Sequence, residues 1–215
     1  MSILEVQNLT KKYGKRTIIE SLSFTLESQQ TMAITGQSGS GKSTLLNMIG
    51  LLEEPTSGTI RIDGKDTPGI NSSAATKLRR SVISYLFQSY ALLESQTALQ
   101  NVLLGMKYSP LPKKNHEAEA RRVLKILGLG SVIDASVYTL SGGEQQRVAI
   151  ARCMLKPGKI ILADEPTGAL DQHLAGVVLD ELFVLCREFG KALVMVTHDP
   201  AIAQRCERQL RIGTN

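Results

Sequence analysis

Hydrophobic and polar positions change their rhythm twice along the chain. Leu22, Phe24 and Leu26 alternate with Ser23, Thr25 and Glu27, the period of a strand with one buried face. Residues 3–9 and 59–63 also read as strands, the latter running into an Asp63-Gly64 turn. Residues 31–35 form a short apolar strand that leads directly into a glycine-rich loop, and 44–52 read as a helix after it. Strands are expected to dominate up to about residue 86. From 88 to 156 the spacing becomes helical, with Val123, Leu124, Ile126 and Leu127 at helix periodicity within 117–127 and a second helix over 144–155. Beyond that, 159–163 and 192–197 are unbroken apolar runs, the mark of strands buried on both faces, and 174–189 between them has helical length. Strand, helix and strand in this order predict an α/β fold around a mostly parallel sheet, with an antiparallel β subdomain at the N-terminus and an inserted helical subdomain. The expected organisation is a single 1–215 domain whose core uses 1–87 and 157–215, with 88–156 as the helical insertion.

Composition narrows this picture without redirecting it. At 215 residues, 42% hydrophobic and 21% charged, the chain is an ordinary globular one. No apolar run reaches the roughly 18 residues of a membrane span, and the first residues lack the pattern of a secretory signal. The net charge of +5 comes from scattered basic pairs such as Lys11-Lys12 and Arg79-Arg80. With aromatics at 4% and no tryptophan, platforms for stacking bases are scarce, and nucleic acid is not an expected partner. Cys153, Cys186 and Cys206 form no Cys-x-x-Cys pair; they suit a reducing compartment better than a disulfide framework or zinc site.

The chemistry is concentrated in two motifs. Gly36-Gln37-Ser38-Gly39-Ser40-Gly41-Lys42-Ser43 satisfies G-x-x-x-x-G-K-[ST] at every fixed position. Glycines let such a loop turn its N–H groups onto a phosphate, Lys42 supplies a mobile positive charge, and Ser43 offers a hydroxyl to Mg²⁺. The helix opening at Thr44 adds its N-terminal dipole. This loop is expected to bind a nucleoside triphosphate. Asp164 and Glu165 close the apolar run 159–163, at the strand end where open α/β sheets hold ligands. Asp164 suits a Mg²⁺ ion opposite Ser43, and Glu165 suits polarisation of an attacking water.

Leu140-Ser141-Gly142-Gly143-Glu144-Gln145-Gln146-Arg147 resembles the signature motif of ATP-binding cassette (ABC) ATPases. Other motifs of that family follow in order over essentially the whole chain. Tyr13 resembles the adenine-stacking aromatic, though a strand-edge aromatic is the other reading. Gln88 resembles the glutamine of the Q-loop, which senses Mg²⁺ and the attacking water and begins the segment facing a partner's coupling helix. Asp171 in Ala169-Leu170-Asp171 resembles the D-loop aspartate, as a helix N-cap, a cross-dimer contact or both. His198 resembles the switch histidine that contacts the γ-phosphate.

This resemblance implies that ATP and Mg²⁺ are the ligands, and that a second copy closes its Ser141, Gly142 and Gly143 over ATP held on the first copy's loop. Residues 163–171 and 87–93 look most like the lipoprotein-releasing, macrolide-exporter and bacteriocin-export group. With one phosphate loop and one signature before Asn215, a transmembrane permease is expected as a separate polypeptide, with this chain peripheral on the cytoplasmic face of the membrane. Two other classes stay open: a soluble cassette working on nucleic acid or ribosomes, and a cell-division-type membrane scaffold.

Overall fold

A computed structural model describes residues 2–87, 89–168, 170 and 172–213. Two strands, β1 (Ser2–Tyr13) and β2 (Arg16–Glu27), pair antiparallel from Ser2↔Glu27 to Tyr13↔Arg16. The register slips at several bulges, which twist the ribbon. β3 (Thr31–Thr35) runs into the phosphate loop and α1 (Lys42–Ile49). β4 (Ser57–Ile62) and β5 (Lys65–Asp66) complete a four-stranded sheet of order β2-β1-β4-β5, antiparallel throughout.

The chain then departs from the expected run of strands. Residues 73–81 form α2 (Ser73–Ser81), capped by the Ser72 hydroxyl, which accepts from the Ala75 amide. Its mostly polar sequence buries Ala75 and packs Leu78, with Val82 just beyond it, on the same core, a stripe too narrow for periodicity to reveal. β6 (Ile83–Leu86) follows, then α3 (Ala98–Gly105), α4 (His116–Ile126) and α5 (Gly142–Leu155), which pack on one another. β7 (Ile160–Asp164), α6 (Gln172–Glu188), β8 (Ala192–Val196), α7 (Pro200–Gln204) and β9 (Arg208–Arg211) close the chain.

The second sheet has the order β6-β7-β8-β3-β9, and every pairing in it is parallel. β8 is buried along its whole length and β7 along all but its last residue, as unbroken apolar runs require. One face of this sheet joins α1 and the antiparallel sheet around Leu4, Leu26, Leu46 and Ile49; the other joins α3–α6 around Val102, Leu124, Ile150 and Leu182. The topology has its switch at β3: the chain leaves it for the far edge at β6, returns through β7 and β8, and finishes on its other side with β9.

Leu46 is fully buried between α1 and both sheets. Leu46→Ala is expected to lower the unfolding free energy by about 2–5 kcal/mol through the cavity it leaves, measured by urea denaturation.

Candidate nucleotide site

Three neighbouring parallel strands end at one level. Ile34 pairs with Val196 and Val196 with Asp164, and the pairing continues past the strand ends: the Thr197 amide donates to the Ile34 carbonyl and the Glu165 amide to the Val196 carbonyl. The phosphate loop, Asp164-Glu165 and His198 therefore emerge side by side at the carboxyl edge of β3, β7 and β8, where open α/β sheets bind ligands.

The loop needs its glycines for close packing. A Cβ on Gly36 would sit 2.3 Å from the Ile212 carbonyl oxygen, because β9 runs directly beside the loop entry. Gly41 has φ 97, and its Cβ would press on Ile18 Cγ2 at 2.6 Å. No side chain caps the N-terminus of α1, so the amides of its first turn are aimed at the loop interior, which is the arrangement an anion takes. Lys42 folds back across the loop, its Nζ donating to the Gly36 and Gln37 carbonyls at 2.9 and 2.8 Å. The Ser40 hydroxyl is buried without a partner among the described residues.

Glu165 sits in the left-handed region at φ 49, a conformation that costs a non-glycine residue free energy and clusters at functional sites. It turns the chain out of β7, so that Glu165 Oε2 meets His198 Nδ1 at 3.0 Å. The carboxylate is mostly covered while the imidazole is 75% exposed. The hydrogen bond and charge of Glu165 raise the His198 pKa above its ordinary value.

Ser43 and Asp164 face a common hollow of about 380 Å³, with Asn47, Tyr85, Phe87 and Ser89 as its other walls. Asn47, Tyr85 and Phe87 were not identified from sequence. A signal existed for Asn47, which lies one helical turn after Ser43 and shares its face. Tyr85 and Phe87 stack at 4.2 Å, and the Tyr85 hydroxyl donates to Asn47 Oδ1 at 3.0 Å. Burial and then the Asp164 charge push the Tyr85 pKa up. One carboxylate, one hydroxyl and oxygen-rich surroundings suit a hard cation that takes its remaining ligands from phosphate and water, as Mg²⁺ does. No group of three or more His, Cys, Asp or Glu able to hold a metal occurs among the described residues.

Tyr13 is half exposed at the end of β1; its hydroxyl donates to Glu53, and Lys11 Nζ lies 5.0 Å from its ring centre. The hairpin that carries it packs Ile18 against Gly41 of the loop. Ser141 caps α5: its hydroxyl accepts from the Glu144 amide, and Glu144 accepts from the Ser141 amide at 2.8 Å. The Ser141 hydroxyl also donates to Glu144 Oε2 at 2.8 Å, and that bond first, then the Ser141 amide, holds the Glu144 pKa below the usual carboxylate range. Gly142 faces the Tyr90 hydroxyl, and a Cβ on Gly143 would meet Leu170 at 2.9 Å. No hydrogen bond among the described residues joins 141–143 to 36–44. Gln88 and Asp171 lie outside the described residues.

The ABC transporter family model matches residues 19–168, and the chain belongs to that family. It is an ABC ATPase cassette, with ATP and Mg²⁺ as its ligands. The macrolide export ATP-binding/permease protein MacB of Salmonella typhimurium is 42% identical over 215 residues, 98% of this chain and 33% of that protein. MacB of Campylobacter jejuni is 40% identical over 207 residues, covering 96% of this chain and 32% of its own length. The chain thus spans about a third of the curated relatives it matches. Among solved structures, the dimeric post-hydrolysis state of the ATP-binding cassette MJ0796 bound to ADP and Pi superposes with a TM-score of 0.85 at 36% identity, covering 97% of this chain and 94% of that one. The cbiO1 protein of Clostridium perfringens, part of the ABC transporter complex cbiONQ, gives 0.86 at 28% identity over 98% and 84% of the two chains. The resemblance to the macrolide-exporter group is borne out by these relatives.

The Glu165–His198 pair has a consequence for pH. A raised histidine pKa means that the pair is complete at low pH and lost as pH rises through the folded-state value. NMR titration is expected to place the His198 midpoint above 6.5, and Glu165→Gln is expected to bring it down.

Proposed function

We propose that this cassette binds MgATP, pairs head to tail with a second copy around two nucleotides, and uses closing and hydrolysis to drive a transmembrane partner in an export or extrusion system. The convergence of the phosphate loop, Asp164-Glu165 and His198 at the ends of three adjacent strands is the observation that carries this reading. A second support is Ser141-Gly142-Gly143, a capped helix N-terminus with exposed Ser141 and Gly142 and no hydrogen bond to the chain's own loop among the described residues. Such a donor set serves an anion brought by another copy.

In this reading the loop amides from Gly36 to Thr44 and Lys42 hold the phosphates; Gln37, Ser38, Gly39, Ser40 and Gly41 shape the cradle. Lys42 exchanges its two carbonyl partners for phosphate oxygens. Mg²⁺, when bound at Ser43 and Asp164 with Gln88 as a further ligand, draws charge from the phosphate oxygens. Glu165 accepts a proton from the attacking water, a role that requires it to release His198, which then turns to the γ-phosphate. Tyr13 stacks on the adenine, and Asp171 contacts the second copy.

No helix among the described residues is long and apolar enough to cross a membrane. The transporter relatives support work done on a membrane-spanning partner, which the cassette meets at the cytoplasmic face. A hollow of about 440 Å³ suits that contact. Leu52, Phe87, Leu104 and Tyr108 line it, each 38–50% exposed, and the Arg80 guanidinium lies 4.5 Å from the Tyr108 ring centre. Large apolar side chains exposed together mark an interaction surface. The macrolide exporters among its relatives favour export, and the cargo class is a drug, peptide, bacteriocin or lipoprotein.

Glu165→Gln is expected to retain ATP binding while hydrolysis falls about 10²–10⁴-fold, the usual loss for a general base. With ATP and Mg²⁺ it should elute as a dimer on size exclusion, and a monomer at saturating ATP would count against the pairing. Leu104→Glu is expected to lower the yield of membrane partner co-purified with this trapped form, because a charge would be buried in the hollow.

A further inference from the structure

Tyr90 and Ala91 are consecutive non-glycine residues in the left-handed region, at φ 62 and 49. Two such residues in succession persist only where the surroundings hold them. The holder is Arg152, near the end of α5. Its Nη1 donates to the Ala91 carbonyl at 2.6 Å and its Nη2 to the Tyr90 carbonyl at 2.7 Å. The rigid fork of a guanidinium matches two adjacent carbonyls in a way a single ammonium cannot. The contact runs the length of the helix, because the Tyr90 hydroxyl lies beside Gly142 at its opposite end. Lys156, one turn beyond Arg152, donates to the Arg79 and Ile83 carbonyls at 2.6 and 2.7 Å, and Cys153 Sγ donates to the Tyr85 carbonyl at 3.4 Å. One face at the end of α5 therefore grips the backbone on both sides of position 88.

We infer that Arg152 is a positioning residue for ATP hydrolysis: by holding the bend at Tyr90-Ala91, it makes the signature helix and the chain leaving position 88 move as one body. Anion capture at the N-terminus of α5 is then transmitted to the hollow shared by Ser43 and Asp164, whose wall includes Phe87 and Ser89. This rests on the proposed pairing of two copies, since a second copy's nucleotide is what α5 receives. Arg152 touches no reacting atom in this scheme; its effect passes through the backbone it holds.

The test is steady-state turnover of the full chain with Arg152→Gln and Arg152→Lys, alongside the affinity of the monomer for a fluorescent ATP analogue. Arg152→Gln is expected to lower kcat at least about tenfold, with monomer affinity within about twofold of the unsubstituted chain. Arg152→Lys should recover part of the loss. Adding Ala91→Gly to Arg152→Gln should also recover turnover, because glycine takes the left-handed bend without a holder. Unchanged kcat, or a loss matched by equal loss of monomer affinity and not relieved by Ala91→Gly, overturns the inference. Hydrogen exchange on the unsubstituted chain answers the same question even if the variants fail to fold. Amides 89–93 and 141–144 should gain protection together when ATP and Mg²⁺ are added. Protection at 141–144 without 89–93 sinks the Arg152 linkage alone; absence of protection at 36–44 and of turnover sinks the cassette reading and the linkage with it.

Discussion

Parallel strands buried on both faces leave the backbone groups at their ends as the polar atoms that must find partners outside the sheet. In this chain β3, β8 and β7 stop at one level, because Ile34, Val196 and Asp164 are paired in register. Everything chemical follows from that alignment. A slip of two residues in one strand would carry its motif nearly 7 Å along the strand axis, beyond hydrogen-bonding reach of its neighbours. The register is protected by apolar side chains on both faces, which is why β7 and β8 carry almost no polar residue.

Under the proposed function, the contacts around this edge are internal substitutes for those made to nucleotide. Lys42 holds loop carbonyls and Glu165 holds His198. Both pairs satisfy groups that would otherwise lack partners, and both are built from side chains long enough to turn elsewhere. Neither interaction is deeply buried, so exchanging it for phosphate or water involves a modest desolvation cost. The site is thereby stable without nucleotide yet not locked against it.

The helical region has a different logic. Its core around Val102, Leu124 and Ile150 holds it to the sheet, while α5 supplies a set of polar links to the backbone on both sides of position 88, beside the Arg122–Glu188 ion pair from α4 to α6. Arg152, Cys153 and Lys156 bind backbone carbonyls and not side chains. Such links constrain the path of the main chain whatever residues occupy it. This explains how left-handed residues at Tyr90 and Ala91 are tolerated beside the nucleotide site.

Much of this protein is written in local sequence. The phosphate loop, the acidic pair after an apolar strand and the Ser-Gly-Gly helix start are contiguous, and each encodes its geometry through nearest-neighbour rules: glycine freedom, capping and periodicity. The α/β class and the family were therefore legible, as was the identity of Glu165 and His198 as residues of interest. What remained hidden depends on contacts far apart in the chain. The helix over 73–81 has only the narrow apolar stripe of Ala75 and Leu78, and its place is set by packing against β6. Asn47, Tyr85 and Phe87 meet Asp164 only because β6 lies beside β7. Arg152 reaches a bend 61 residues away that no local pattern announces. Sequence determined which groups can bind phosphate and move a proton; tertiary structure decided which of them share an edge, because that depends on the register of parallel strands whose pairing partners are distant in the chain.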